Sequence, residues 1–126
     1  MTSDNGLDDY ILFLGYRNDI KELYRASDIF VMPSLREGLS RSIMEAMASG
    51  LPCVVSNIRG NVDLIRNKKG GFLCDPRNVS SFAEAIKDCV SIYKNEFGQF
   101  NKSEVKKFDL QTVVEKLNEI YSAVII

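Results

Sequence analysis

The chain has 126 residues, 45% of them hydrophobic and 26% charged, and its 16 Lys and Arg against 17 Asp and Glu leave a net charge of −1. That length fits one domain with its own core, the composition is that of a folded chain, and the charge balance argues against a whole-molecule grip on nucleic acid or an anionic membrane. No apolar run approaches the roughly 20 residues of a membrane span, the opening residues are acidic and polar rather than a secretion or transit signal, and the absence of histidine removes Ser-His and Cys-His nucleophile pairs, histidine bases and histidine metal sites.

In chain order, residues 10–14, ended by Gly15, read as a buried strand. Asn18 and Asp19 open a helix in which Asp19 and Glu22 form an Asp-led capping box, and Ile20, Leu23 and Tyr24 share one face. Residues 29–32 are the next strand, stopped by Pro33. A loop over 34–38 leads to a helix from about Leu39 to Ser49, closed by Gly50 and Pro52. Residues 53–55 form a third strand, 62–67 a short helix, and 72–74 a fourth strand ended by Asp75 and Pro76. Ser81 and Glu84 make a capping box for a helix whose Phe82, Ala85, Ile86, Cys89, Val90 and Tyr93 lie on one side. Residues 95–107 are polar and show no usable periodicity. Asp109 caps a last helix with Val113, Leu117, Ile120, Tyr121 and Val124 on one stripe, expected to pack on its own sheet rather than on a partner.

Apolar strands alternating with amphipathic helices predict an α/β fold, a parallel sheet with helices on both faces. Cys53, Cys74 and Cys89 are an odd number, widely spaced, and sit in apolar runs, so they read as small buried hydrophobes of a reducing compartment rather than a disulfide framework or metal site. Phosphate-binding G-x-x-x-x-G-K-[ST] and dinucleotide G-x-G-x-x-G loops are both missing.

The stretch from Pro33 to Pro52 carries the chemistry. A strand delivers Glu37 to the carboxyl edge of the sheet, where open α/β sheets bind ligands. Gly38 permits close backbone approach, and the amides of Leu39, Ser40 and Arg41 open the helix as a phosphate-attracting end. Glu45, a turn and a half later, is expected to project from the same open end as Glu37. Carboxylates that accept from sugar hydroxyls, beside amides that hold phosphate, suit a nucleotide sugar. Equally, Glu37 reads as a loop carboxylate favoured by the helix dipole and Glu45 as a solvated helix residue.

Glu37 and Glu45 form an E-x7-E pattern. With the 13–15, 27–34 and 45–48 runs, Gly50-x-Pro52, 71–73 and the terminal Ile120-Tyr121, the chain resembles the second domain of family 4 retaining glycosyltransferases of the GT-B fold, especially capsular and exopolysaccharide members. The resemblance covers nearly the whole chain. It implies that Glu37 contacts the donor sugar, with Gly38, Leu39, Ser40 and Arg41 holding sugar and diphosphate through their backbone. It also implies that Glu45 bonds the ribose and that the backbone near Tyr16 and Arg17 lies beside the base. Gly38-Leu39-Ser40 departs from the family's frequent Gly-Phe-Gly, and the Arg41 side chain reads as solvated.

The same resemblance implies that residues 1–126 are one domain, the carboxyl-terminal portion of a nucleotide-sugar-binding domain without its first two strands or the acceptor domain. The expectation is then a partial Rossmann-like sheet of about four parallel strands ordered 10–14, 29–32, 53–55, 72–74, with residues 10–14 either pairing directly with 29–32 or driving self-association. The implied enzyme moves a hexosyl or N-acetylhexosaminyl group from a nucleotide diphosphate sugar, a UDP-sugar by bias, to a polysaccharide or lipid-linked acceptor with retention. It needs no cofactor or metal, and this chain alone is expected to be inactive because one helix end cannot stabilise a departing diphosphate. A cytoplasmic location follows, at the inner face of the membrane only through the full-length enzyme, with no nucleic-acid partner. The competing reading is a non-catalytic α/β protein-interaction module.

Overall fold

The computed structural model describes residues 3–124. Its sheet has three parallel strands, β1 (Phe30–Met32), β2 (Cys53–Ser56) and β3 (Gly71–Cys74), in the order β1-β2-β3. Phe30 lies opposite Cys53, and Cys53 opposite Gly71. All four residues of β2 are buried, so the central strand sends side chains into two cores, as strand alternation requires. Cys53 and Val55 meet Ile43, Ala46 and Met47 of α2 (Arg41–Ala48), Leu64 of α3 (Asn61–Leu64), and the fringe residue Tyr24 of α1 (Ile20–Ala26). Val54 and Cys74 meet Phe82 and Ala85 of α4 (Val79–Asp88), Cys89, and Phe97 of α5 (Lys94–Glu104). Helices on both faces and the parallel sheet are as expected.

The polar segment that gave no periodicity is helix. α4 passes through a π-helical turn, Cys89–Tyr93, into α5. That wider turn keeps Cys89, Tyr93 and Phe97 on the sheet and rotates Val90 outward, against the predicted apolar face. The Tyr93 and Phe97 rings stack with centroids 4.6 Å apart. Gly98 lies so close to the turn after α2 that a Cβ there would sit 2.2 Å from the Gly50 carbonyl oxygen. One turn further on, fully buried Asn101 donates from Nδ2 to the carbonyls of Leu51 (2.8 Å) and Gly70 (2.6 Å), the residues leading into β2 and β3. α5 thus braces the amino edge of the sheet and leaves the carboxyl edge open.

The chain departs from the sequence reading at several places. Residues 10–14 form no strand and do not pair with β1. Tyr10, Leu12 and Phe13 are 84%, 80% and 79% exposed. Without a ladder their backbone turns locally instead, with the Tyr10 and Ile11 amides donating to the Leu7 carbonyl. Asp19 flanks α1 but caps nothing with its side chain, because Arg17 holds the carboxylate. α2 begins at Arg41 rather than Leu39, since Ser40 is its N-cap and accepts from the Ile43 amide at 3.3 Å. α3 occupies 61–64 rather than 62–67, because Asn67 bridges to β3 and accepts from the Leu73 amide at 3.0 Å. Asn78, not Ser81, caps α4, accepting from the Ser81 amide at 3.1 Å, so the helix starts at Val79.

The last helix, α6 (Leu110–Val124), starts where Asp109 accepts from the Gln111 amide, as read from the sequence. It does not pack on the sheet. Val113, Leu117, Ile120 and Tyr121 remain 41–61% exposed, because the first face is already covered by α2, α3 and Phe108 of the 3-10 turn Val105–Phe108, and extended Asp109 directs the helix away. The side chain of Val124 lies outside the described residues. Cys53, Cys74 and Cys89 are free thiols buried in the two cores, and burial raises all three pKa values, Cys89 to about 12.

Candidate functional site

The loop after β1 presents Glu37 at the open edge. Ser34 Oγ donates to Glu37 Oε1 at 3.0 Å and fixes one carboxylate oxygen, leaving the other toward solvent. The loop is held from below by Gly60, at the start of α3. Its φ is +92°, and a Cβ there would lie 2.2 Å from the Gly38 carbonyl oxygen and 3.2 Å from that of Glu37. Glycine is therefore needed twice over at 60, for the left-handed backbone and for the contact that seats the Glu37–Gly38 peptide. Beside Gly38 itself the space is open, with nothing within 4 Å of where a Cβ would stand.

Four consecutive amides follow. Leu39 and Ser40 precede α2, and Arg41 and Ser42 are its first two residues. None of these N–H groups has an acceptor among the described residues, and the ladder starts with the Met44 amide on the Ser40 carbonyl. Ser40 itself is buried, spending its hydroxyl oxygen on Ile43 and its proton toward Met32 Sδ. A row of free donors at the positive end of a helix is an anion seat, worth typically ~0.3–1 kcal/mol for an exposed charge and up to ~2 when partly buried.

Glu45 is half-buried one turn into α2, against α1. Its Oε1 accepts from Arg41 Nε at 3.1 Å and its Oε2 from the Tyr24 hydroxyl at 3.4 Å. Burial and the Glu45 carboxylate together raise the Tyr24 pKa above its ordinary value. The two glutamates do not open into one concavity. Glu45 lines a groove of about 630 Å³ between α1 and α2, with Asn18, Lys21, Arg25 and Lys102. Glu37 lines a shallower one, with Arg36, Ile58 and Arg59. Glu45 lies one turn beyond Arg41 on the same face of α2, turned toward Tyr24 of α1. The free amides of 39–42 lie between the two carboxylates along the chain.

Tyr16 is 93% exposed. Arg17 Nε donates to Asp19 Oδ1 at 2.7 Å, and the guanidinium holds the Asp19 carboxyl below the usual carboxylate range. Both residues stand just before Asn18, the first residue lining the Glu45 groove. Among the described residues no group of three or more Cys, Asp and Glu is placed to hold a metal ion, and no helix is long and apolar enough to cross a membrane.

The family model described as "Glycosyl transferases group 1" matches residues 1–91. The chain is 48% identical over 84 residues, 67% of its length, to the Escherichia coli UDP-Gal:alpha-D-GlcNAc-diphosphoundecaprenol alpha-1,3-galactosyltransferase. It is 42% identical over 74 residues, 59% of its length, to the Campylobacter jejuni N,N'-diacetylbacillosaminyl-diphospho-undecaprenol alpha-1,3-N-acetylgalactosaminyltransferase. These matches span 22% and 20% of the two relatives, about a fifth of each. Among solved structures, Anabaena Alr3699/HepE in complex with UDP superposes with a TM-score of 0.87 at 28% identity, covering 97% of this chain and 35% of that one. The same Anabaena protein has also been solved with UDP-glucose.

Proposed function

The chain belongs to the glycosyl transferases group 1 family, and on that footing we propose that it is the carboxyl-terminal portion of the donor-binding domain of a retaining glycosyltransferase. The whole enzyme transfers a sugar from a nucleotide diphosphate sugar, UDP-linked, to a polysaccharide or lipid-linked acceptor. The observation that carries this reading is the row of four unpartnered amides at 39–42 with a carboxylate on either flank.

In this reading the amides take the diphosphate, Glu37 accepts from hydroxyls of the transferred sugar, and Glu45 accepts from the ribose in the groove beside α1. Tyr16 and Arg17 stand next to the base. Ser34 and Gly60 keep the Glu37 carboxylate at the edge before the donor arrives, so binding does not have to order it. The Arg41–Glu45 pair is exposed on the arginine side, worth ~0.2–1 kcal/mol, and so yields readily to ribose hydroxyls. Departure of a nucleoside diphosphate needs more positive charge than one helix end supplies. The cations that complete the site, the strands that pair with the free edge of β1, and the domain that delivers the acceptor hydroxyl to the anomeric carbon are assigned to the rest of the enzyme. The chain alone therefore binds donor weakly and does not turn over.

Titration of the isotope-labelled chain with UDP and UDP-sugars tests this. Amides 39–42 and the residues around Glu45 shift with UDP, and Glu37 shifts further when the sugar is present. No shift at any of these positions would remove the donor-site reading and leave the alternative, an α/β interaction module, for which the exposed apolar stripe of α6 speaks.

A further inference from the structure

The loops after the three strands each carry one arginine: Arg36 after β1, Arg59 after β2 and Arg77 after β3. Arg36 and Arg59 line the groove that holds Glu37. Arg36 and Arg77 line an adjoining one that shares Leu35 and Arg36 with the first. The chain has seven arginines. Arg17, Arg41 and Arg66 are held in ion pairs by Asp19, Glu45 and Glu104, whereas Arg25, in the Glu45 groove, and the three at this edge have no carboxylate partner among the described residues. The two acids in the grooves are engaged otherwise. Glu37 accepts from Ser34 Oγ, and Asp75 accepts from the Arg77 backbone amide at 2.9 Å. Three guanidinium groups against two carboxylates leave the edge net positive. Leu35 lies between them, 65% exposed.

This cationic edge is separate from the free amides. None of residues 39–42 lines either arginine groove, so an anion on the arginines is assigned as a second anion rather than the donor's diphosphate. Resting on the donor reading of Glu37, we propose that Arg36, Arg59 and Arg77 form a subsite for the phosphate or diphosphate group of the acceptor, with Leu35 meeting the apolar part that follows it. Planar guanidinium forks match phosphate oxygens two at a time, which a single exposed lysine does not do. An acceptor whose phosphate stands one sugar away from the reacting hydroxyl places that phosphate beside the transferred sugar, where these loops are. The proposal adds to the reaction a positioning contact made by the donor half of the fold.

The probes are inorganic pyrophosphate, farnesyl diphosphate, farnesol, glucuronate and UDP, read by isotope-labelled arginine side chains and by amides 39–42. Pyrophosphate and farnesyl diphosphate shift Arg36, Arg59 and Arg77, the lipid form binding more tightly, and farnesol alone does not bind. In the R36Q/R59Q/R77Q chain their affinity falls about tenfold or more, while UDP affinity at 39–42 changes less than twofold. R59Q alone gives a smaller loss in the same direction, and circular dichroism checks that each variant keeps its helices. Unchanged pyrophosphate affinity in the triple variant overturns the proposal, as does pyrophosphate binding only at 39–42 in competition with UDP, or a response to glucuronate and not to pyrophosphate. Failure of UDP to bind while pyrophosphate still shifts the arginines would instead sink the donor reading and keep the anion subsite.

Discussion

Val54 and Leu12 are comparable in hydrophobicity, yet Val54 is wholly buried and Leu12 is 80% exposed. The same contrast runs through the whole chain. In the centre, Ile43, Met47, Leu64, Ile65 and Phe97 have essentially no solvent contact. Toward the two ends, Tyr10, Phe13, Leu110, Ile120 and Tyr121 are more exposed than not. Apolar content alone does not make a core. The central strands have ladder partners on each side of β2 and helices on both faces, while residues 10–14 have no strand to pair with and α6 finds the sheet face already occupied. Two apolar surfaces on one small fold are what a protein shows where it meets another surface.

Substitutions break or sharpen that contrast in a definite order. Phe97→Ala removes a ring stacked on Tyr93 and set edge-on to Phe72, 5.7 Å away, and should cost about 3–5 kcal/mol in denaturant unfolding. Gly60→Ala forces a Cβ into the Gly38 carbonyl at positive φ and should cost about 1–3 kcal/mol. It should also weaken UDP-sugar binding more than UDP binding, because the displaced peptide carries Glu37.

Alkaline titration probes the second core. In the unfolded chain the Cys89 thiol ionises near its ordinary 9.0, whereas burial in the fold pushes it up to about 12. The folded state keeps the proton that the unfolded state loses, so this stabilisation is complete below pH 9 and declines as pH rises toward 12, by at most about 1.4 kcal/mol per pH unit. Melting temperatures between these limits should fall, and less steeply in Cys89→Ala. The smallest effect belongs to the ends. Phe13→Ser and Leu117→Ser should each change stability by less than about 0.5 kcal/mol. A larger loss at either would show that the ends are packed in solution and dissolve the contrast.

Much of the centre was legible. Short apolar runs bounded by Pro33, Pro52 and Asp75-Pro76 located β1, β2 and β3 to within a residue, because buried parallel strands leave little choice of composition. Residues 10–14 have the same local character, and only the missing ladder distinguishes them, a fact of neighbours rather than of sequence. α5 escaped notice because its hold on the sheet comes from Phe97, a glycine pressed on Gly50, and a buried asparagine, none of which makes an apolar stripe. At the site, the identities of Glu37 and Glu45 and the free amides could be read from the chain. Their separation into two grooves could not, since it depends on α1 packing beside Glu45 and the loop after β2 packing beside Glu37. Nor could the meeting of Arg36, Arg59 and Arg77, which are far apart in sequence and joined only by the parallel order of the strands.

The central claim is that two carboxylates on either side of one row of free amides divide a nucleotide sugar between them. Affinities of the wild-type, Glu37→Gln and Glu45→Gln chains for UDP and for a panel of UDP-hexoses and UDP-N-acetylhexosamines test it directly. At least one UDP-sugar should bind more tightly than UDP to the wild type. Glu37→Gln should abolish that increment and leave UDP unchanged, and Glu45→Gln should weaken UDP and UDP-sugar alike by about tenfold. Wild-type affinities in both variants, or a loss of UDP binding in Glu37→Gln with none in Glu45→Gln, would contradict the account.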